Sequence, residues 1–179
     1  RALVRAILMT TLRYRRTIQA MIDRRLERPL PGNALSLGHV LHVGAAQILF
    51  LDVPDSAAVD LAVSQAQADP RTRRFSGLVN AILRSIARGG PRALEAALHQ
   101  TAEAPDWFAE RLTADYGEEL THRILAMHRL EAPVDVTVKQ DAAAWAERLG
   151  GTLLPTGSVR LATLDGPITG LPGFDDGAW

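Results

Sequence analysis

Asn80, Arg84 and Arg88 follow one another at steps of four, so a helix would carry them on a single face. That face offers one amide and two guanidinium groups, a set suited to binding phosphate and lacking any nucleophile or general base. Phe75, Val79, Ile82 and Ile86 recur at helical spacing on another face of the same segment, which gives it a side to bury. Arg71, Arg73 and Arg74 lead into this helix. Arg13, Arg16, Arg24 and Arg28 cluster within roughly a third of the circumference of an earlier one. These arginines are the candidate contacts to an anionic partner. Asn80 has two readings: its amide either bonds the backbone of the adjoining loop, tying segment 70–76 to the bundle, or contacts the partner directly.

Other chemistry finds little support. His39 and His42 stand three apart and could share a helix face, but no acidic residue lies at ligand spacing within that helix, so no metal is expected. His122 and His128 point to different sides of a helix. No Ser sits in a nucleophile elbow, no strand is followed by G-x-G-x-x-G, and no G-x-x-x-x-G-K occurs. There is no cysteine, hence no disulfide framework and no thiolate nucleophile. No catalytic, metal or cofactor-binding residue is therefore assigned, and the chain by itself is not expected to be a catalyst.

The charge is distributed unevenly. Residues 1–100 hold 14 Arg against 7 Asp and Glu, a net of +7, and residues 101–179 hold 6 basic against 13 acidic residues, a net of −7. A split of this kind points to a basic part that meets an anionic partner. Lys139 is the single lysine, and a planar guanidinium suits bidentate phosphate contact better than an ammonium. No apolar run approaches the roughly 18–20 residues that span a bilayer, and no signal-peptide pattern occurs, so a cytoplasmic protein without membrane contact is the expectation. The chain opens at Arg1 inside a helical pattern, as a truncated N-terminus would.

The elements that would position these residues are mostly helical. Residues 1–28 place Leu3, Ile7, Tyr14, Ile18, Met21 and Ile22 on one side, although Arg15 and Arg25 then fall toward it. A break near Arg13–Arg16 removes that conflict. Pro29 and Pro31-Gly32-Asn33 end the segment. Leu35 to Leu51 is apolar nearly all round and belongs at the centre of a bundle, with Leu41, Ile48 and Phe50 beside Val79 and Ile82 in its core. Asp55 or Ser56 is placed to cap a helix running to about Ala68 on Val59, Ala62, Val63 and Ala66. Gly89-Gly90-Pro91 is expected to end the Asn80 helix, with further helices near 92–99, 106–116 and 118–130, the last two separated by Gly117. From Pro133 the pattern changes: Val134, Val136 and Val138 alternate as a strand, Asp141 could cap a helix over 142–149, and Leu153-Leu154 and Val159-Arg160-Leu161 suggest two more strands. The fold class expected is mainly α: an all-helical domain over 1–131, then a partial α+β unit over 132–179.

These segments together resemble a known family. Ala46-Gln47-Ile48-Leu49-Phe50-Leu51, followed by Val53-Pro54 and Ala57-Ala58-Val59-Asp60, is similar to the helical NusB-like fold. Gly77-Leu78-Val79-Asn80-Ala81-Ile82-Leu83-Arg84 resembles that family's "GLVNAVLR" helix. Pro105-Asp106-Trp107 with Tyr116-Gly117 is similar to the "P-x-W … YG" pair of ribosomal-RNA cytosine-5 methyltransferases of the RsmB/Sun/Fmu type. Leu171-Pro172-Gly173-Phe174 with Gly177-Ala178-Trp179 resembles the linker into their catalytic domain. The strand Pro133-Val134-Asp135-Val136-Thr137-Val138-Lys139 departs from the family's "PLxLRVN", lacking its Arg and Asn.

The resemblance implies a NusB-like bundle plus the start of a ferredoxin- or RRM-like linker unit. It implies that the part binding S-adenosylmethionine and carrying the catalytic cysteines follows Trp179, so that no cofactor site is expected in this chain. It implies ribosomal RNA, of the small subunit, as the partner of Arg13, Arg16, Arg24, Arg28, Arg71, Arg73, Arg74, Arg84 and Arg88, with a monomer expected. The alternative reading is a NusB-like adaptor that binds protein and RNA in transcription antitermination or ribosome assembly.

Overall fold

The computed structural model describes every residue except Asn33 and Asp165, and describes Pro91 by its backbone alone. The chain divides into two compact units, Arg1–Arg129 and Leu130–Trp179. The expected boundary at 131/132 falls two residues later.

The first unit runs α1 Ala2–Arg13, α2 Arg15–Asp23, α3 Leu35–Phe50, α4 Asp55–Ala68, a 3-10 turn Arg73–Phe75, α5 Ser76–Gln100 and α6 Asp106–Met127. The amphipathic conflict over 1–28 is resolved by a break at Tyr14, whose backbone leaves the helical region at φ −109°, ψ 26°. The ring of Tyr14 stacks on Phe50 with centroids 4.0 Å apart and planes 11° apart. Beyond the break, α2 turns Ile18, Met21 and Ile22 inward, all fully or almost fully buried. Asn33, part of the expected terminator after α2, lies outside the described residues.

Helix α3 is central because it has almost no polar face: Leu37, Leu41, Ala45 and Ala46 are inaccessible to solvent and pack with Val59, Val79, Ile82, Leu83 and Ile86. Burying each of the larger aliphatics stabilises the unit by about 1.5–3 kcal/mol. Gly44 permits the closest approach, since a Cβ there would lie 2.6 Å from Leu83 Cδ1 and 3.3 Å from Ala62 Cβ. Ile48 and Phe50, expected in the core, are instead half-buried at its edge.

Two expectations about helix ends require correction. Pro54 occupies the N-cap of α4 and no side chain caps it; Asp55 is the first helical residue, where its charge complements the helix dipole. Gly89-Gly90-Pro91 does not end α5, which continues to Gln100. Gly90 is buried where a Cβ would meet Leu49 Cδ2 at 3.1 Å, so its missing side chain serves packing and not termination. Gly117, at φ 77° and ψ 167°, does break α6 into halves near 106–116 and 118–127.

The second unit runs β1 Val134–Thr137, α7 Ala142–Leu149, β2 Thr152–Leu153 and β3 Ser158–Leu161, followed by a 3-10 turn Ile168–Gly170. Its sheet is antiparallel in the order β1-β3-β2, with Val134 opposite Leu161 and Val136 opposite Val159. Val136, Val159, Leu161 and Ala146 form a small core, edged by Val134, Trp145, Leu149, Leu171 and Trp179. Asp141 caps α7 as expected, its carboxylate accepting from Ala144 N, and Gly150 closes the helix in the left-handed conformation. On the other face Asp135 and Arg160 stand directly opposite and form a two-point ion pair at 2.8 and 2.7 Å.

Candidate nucleic-acid interface

Helix α5 buries Val79, Ile82, Leu83 and Ile86 against α3 and α4, and that burial fixes which side chains face solvent. Gly77, Ala81, Arg84 and Arg88 are exposed, and Arg92, one further step of four along, is exposed with them. Successive arginines therefore stand about 6 Å apart along the helix axis. Nothing lies within 4 Å of a Cβ built at Gly77, so the backbone at the start of this face is also approachable.

Asn80 does not bond the 70–76 loop. Its Oδ1 accepts from Arg84 Nε at 2.8 Å, one turn along, which corrects the expected loop contact. The bond leaves both terminal nitrogens of Arg84 free to present a planar fork. Segment 70–76 is held by a different residue, the buried Thr72, whose hydroxyl donates to Ala66 O at 2.8 Å.

The other candidate arginines divide into groups. Arg73 donates Nε to Gln67 O at 2.9 Å, and Arg74 lies over the Phe75 ring with its guanidinium carbon 4.6 Å from the centroid, both exposed at the entry to α5. Arg71 is paired with Asp69 at 2.9 Å. Hydrogen bonding to Arg71 holds the Asp69 carboxyl below the usual carboxylate range and raises the Arg71 guanidinium further. Among the described residues no ion pair engages Arg73, Arg74, Arg84, Arg88 or Arg92.

Arg16 in α2, and Arg24 and Arg25 just after it, make contacts within the fold. Arg16 donates to Ala104 O and forms an ion pair with Asp106 at 2.6 Å, and Arg24 donates to Gln100 Oε1 at 2.5 Å. Arg25, which sequence spacing left toward the apolar side, reaches Ser85 Oγ at 3.1 Å and Met21 O at 2.7 Å. Its guanidinium is lowered by burial first and by neighbouring Arg24 second. Arg13 is half-buried and Arg28 is exposed, with no hydrogen bond joining either to the α5 face. The nine arginines thus differ in their partners: Arg16 and Arg24, though exposed, bond segment 100–106, whereas Arg73, Arg74, Arg84 and Arg88 enter no ion pair among the described residues.

His39 and His42 line an apolar cavity of about 680 Å³ between α1, α2 and α3, together with Leu8, Leu12, Leu35 and Val43. His42 Nδ1 lies 2.8 Å from Gly38 O. Among the described residues no three His, Asp or Glu side chains gather as metal ligands, and no helix is long and apolar enough to cross a membrane.

Residues 1–88 match the NusB family. This part of the chain is a NusB domain. It contains all nine candidate arginines and Asn80, with Arg92 just beyond it. The whole chain has further relatives. It is 33% identical over 99% of its length to the ribosomal RNA small subunit methyltransferase B of Xanthomonas campestris, covering 41% of that protein. It is 35% identical over 99% of its length to the protein of the same name from Xylella fastidiosa, covering 42% of it. To the probable ribosomal RNA small subunit methyltransferase B of Synechocystis it is 29% identical, over 94% of the chain and 41% of the relative. The chain thus spans about two fifths of the length of the curated relatives it matches. The sequence reading did not single out Arg92 or Arg129; the step of four from Arg88 is the available signal for Arg92.

Proposed function

We propose that this chain is the RNA-recognition part of an S-adenosylmethionine-dependent ribosomal RNA cytosine-5 methyltransferase. Residues 1–131 would bind small-subunit RNA as a NusB-like domain, and 132–179 would lead to a catalytic domain outside this sequence. The observation that carries the reading is the unpaired arginine face of α5, inside the NusB domain of a chain resembling these methyltransferases along its whole length. Guanidinium groups at about 6 Å intervals on a packed helix neutralise phosphates and fix the orientation of the RNA without reading its sequence. Choice of site would then rest on RNA shape and on unstacked bases.

The residues present do not fit S-adenosylmethionine. The sheet among the described residues is a small antiparallel one, whereas nucleotide-type cofactors sit at the switch point of a parallel, doubly wound sheet. No methyl-transfer step is assigned to any residue of this chain. The reading is tested by following the open reading frame beyond Trp179. A downstream domain with a cysteine nucleophile, and a product that methylates small-subunit RNA, is the expected result. A frame that closes at this point would leave the adaptor reading in its place.

A further inference from the structure

We infer that the cleft between the end of α5 and the second half of α6 is a phosphate-binding site. It lies outside the NusB match and apart from the Arg84 face, and it has a volume of about 390 Å³. His99, Gln100, His122, Arg123 and Arg129 line it, and no carboxylate does. Glu95, Glu118 and Glu119 stand one turn away on the same helices and do not line it.

Two of the lining groups are held in place. Arg129 Nη2 donates to Leu98 O at 2.5 Å and to Thr101 O at 2.8 Å, which immobilises the guanidinium across the mouth of the 101–105 loop. Its Nη1 makes no hydrogen bond to the described residues and remains open to solvent, while Nε is buried without an acceptor. The backbone at Arg129 is anchored in turn by Tyr14, whose hydroxyl donates to Arg129 O at 3.3 Å. Gln100 accepts from Arg24 at 2.5 Å through Oε1, so its amide nitrogen is oriented as a donor. A cleft lined by two guanidinium groups, with Arg129 and Gln100 held in place and no carboxylate in its lining, is arranged to receive an oxyanion. The shared chemistry is a phosphate group, carried by RNA or free in solution.

The test is a titration of the isotope-labelled chain, followed residue by residue in nuclear magnetic resonance spectra. Three probes are used at matched ionic strength: inorganic phosphate, a short oligoribonucleotide with a 5′-phosphate, and the same oligonucleotide without it. Saturable shifts at residues 98–102 and 122–129 with phosphate, and not with chloride, are expected. Tighter binding of the phosphorylated oligonucleotide than of inorganic phosphate identifies RNA as the source; equal affinity identifies free phosphate. His122→Ala with Arg123→Ala removes two exposed groups and should weaken phosphate about tenfold with an unchanged circular dichroism spectrum. Arg84→Ala with Arg88→Ala should leave phosphate binding here intact, which separates this site from the α5 face. Shifts identical in chloride, or full affinity in the His122/Arg123 variant, would overturn the assignment.

Discussion

Arg84 donates its Nε to Asn80 Oδ1 at 2.8 Å, so the amide of α5 orients a guanidinium and does not tie down a loop. On the proposed function, Asn80 would act on RNA through Arg84. Asn80→Ala should lower RNA affinity about threefold, the worth of one surface hydrogen bond, and leave the melting temperature unchanged. A lowered melting temperature with full affinity would return Asn80 to a structural role.

Glu103 closes the start of α2 from a distance. Its two carboxylate oxygens accept from Arg16 N at 2.9 Å and Thr17 N at 3.0 Å, taking the place of a local cap that Tyr14 cannot supply. Glu103→Ala is expected to cost about 1 kcal/mol in chemical denaturation. Hydrogen exchange at the amides of Arg16 and Thr17 should accelerate in the same variant. Unchanged exchange there would show that the cap is made by something else.

Gly44→Ala should destabilise the bundle by about 1–3 kcal/mol, because the new methyl group would meet the buried Leu83 at 2.6 Å and Ala62 at 3.3 Å. Gly77→Ala, on the open face of α5, is the control and should be neutral or slightly stabilising. Equal effects of the two substitutions would contradict the packing described.

The second unit carries an acid-sensitive pair. Hydrogen bonding to Arg160 lowers the Asp135 carboxyl in the folded state below its ordinary value of about 3.9. A lowered folded-state value means that the stabilisation is complete above the unfolded value and is lost as pH falls through the folded one. Denaturation of Asp135→Asn at neutral pH should therefore show a loss relative to the parent, and at a pH well below the ordinary carboxylate range the two should converge. A gap that persists in acid would remove the ion pair as its cause.

Much of this was legible from periodicity, and the exceptions have physical causes. The all-round apolar α3, the Val79–Ile86 stripe and the alternation at Val134–Val138 announce their elements because each must bury a defined face. The break at Tyr14 was visible as a conflict between Arg15, Arg25 and the apolar side. Gly89-Gly90-Pro91 misled because local punctuation reads as a stop, whereas close packing of Gly90 on Leu49 holds the helix together through it. The division among the arginines was not legible at all. Arg16 and Arg24 are both exposed, and what engages their side chains is Ala104, Asp106 and Gln100, which lie 76–90 residues away in sequence. Charge counts and helical wheels hold no information about such partners.

The central claim is that the α5 face binds ribosomal RNA. It is tested most directly by the affinity of the chain for a small-subunit RNA fragment across a salt series, compared with the Arg84→Ala, Arg88→Ala double variant. Each phosphate contact releases a counterion, so loss of two contacts should flatten the slope of log affinity against log salt by about 1.4–1.8 and weaken binding at low salt, with the fold intact. Parent affinity and an unaltered slope in the double variant would contradict the account.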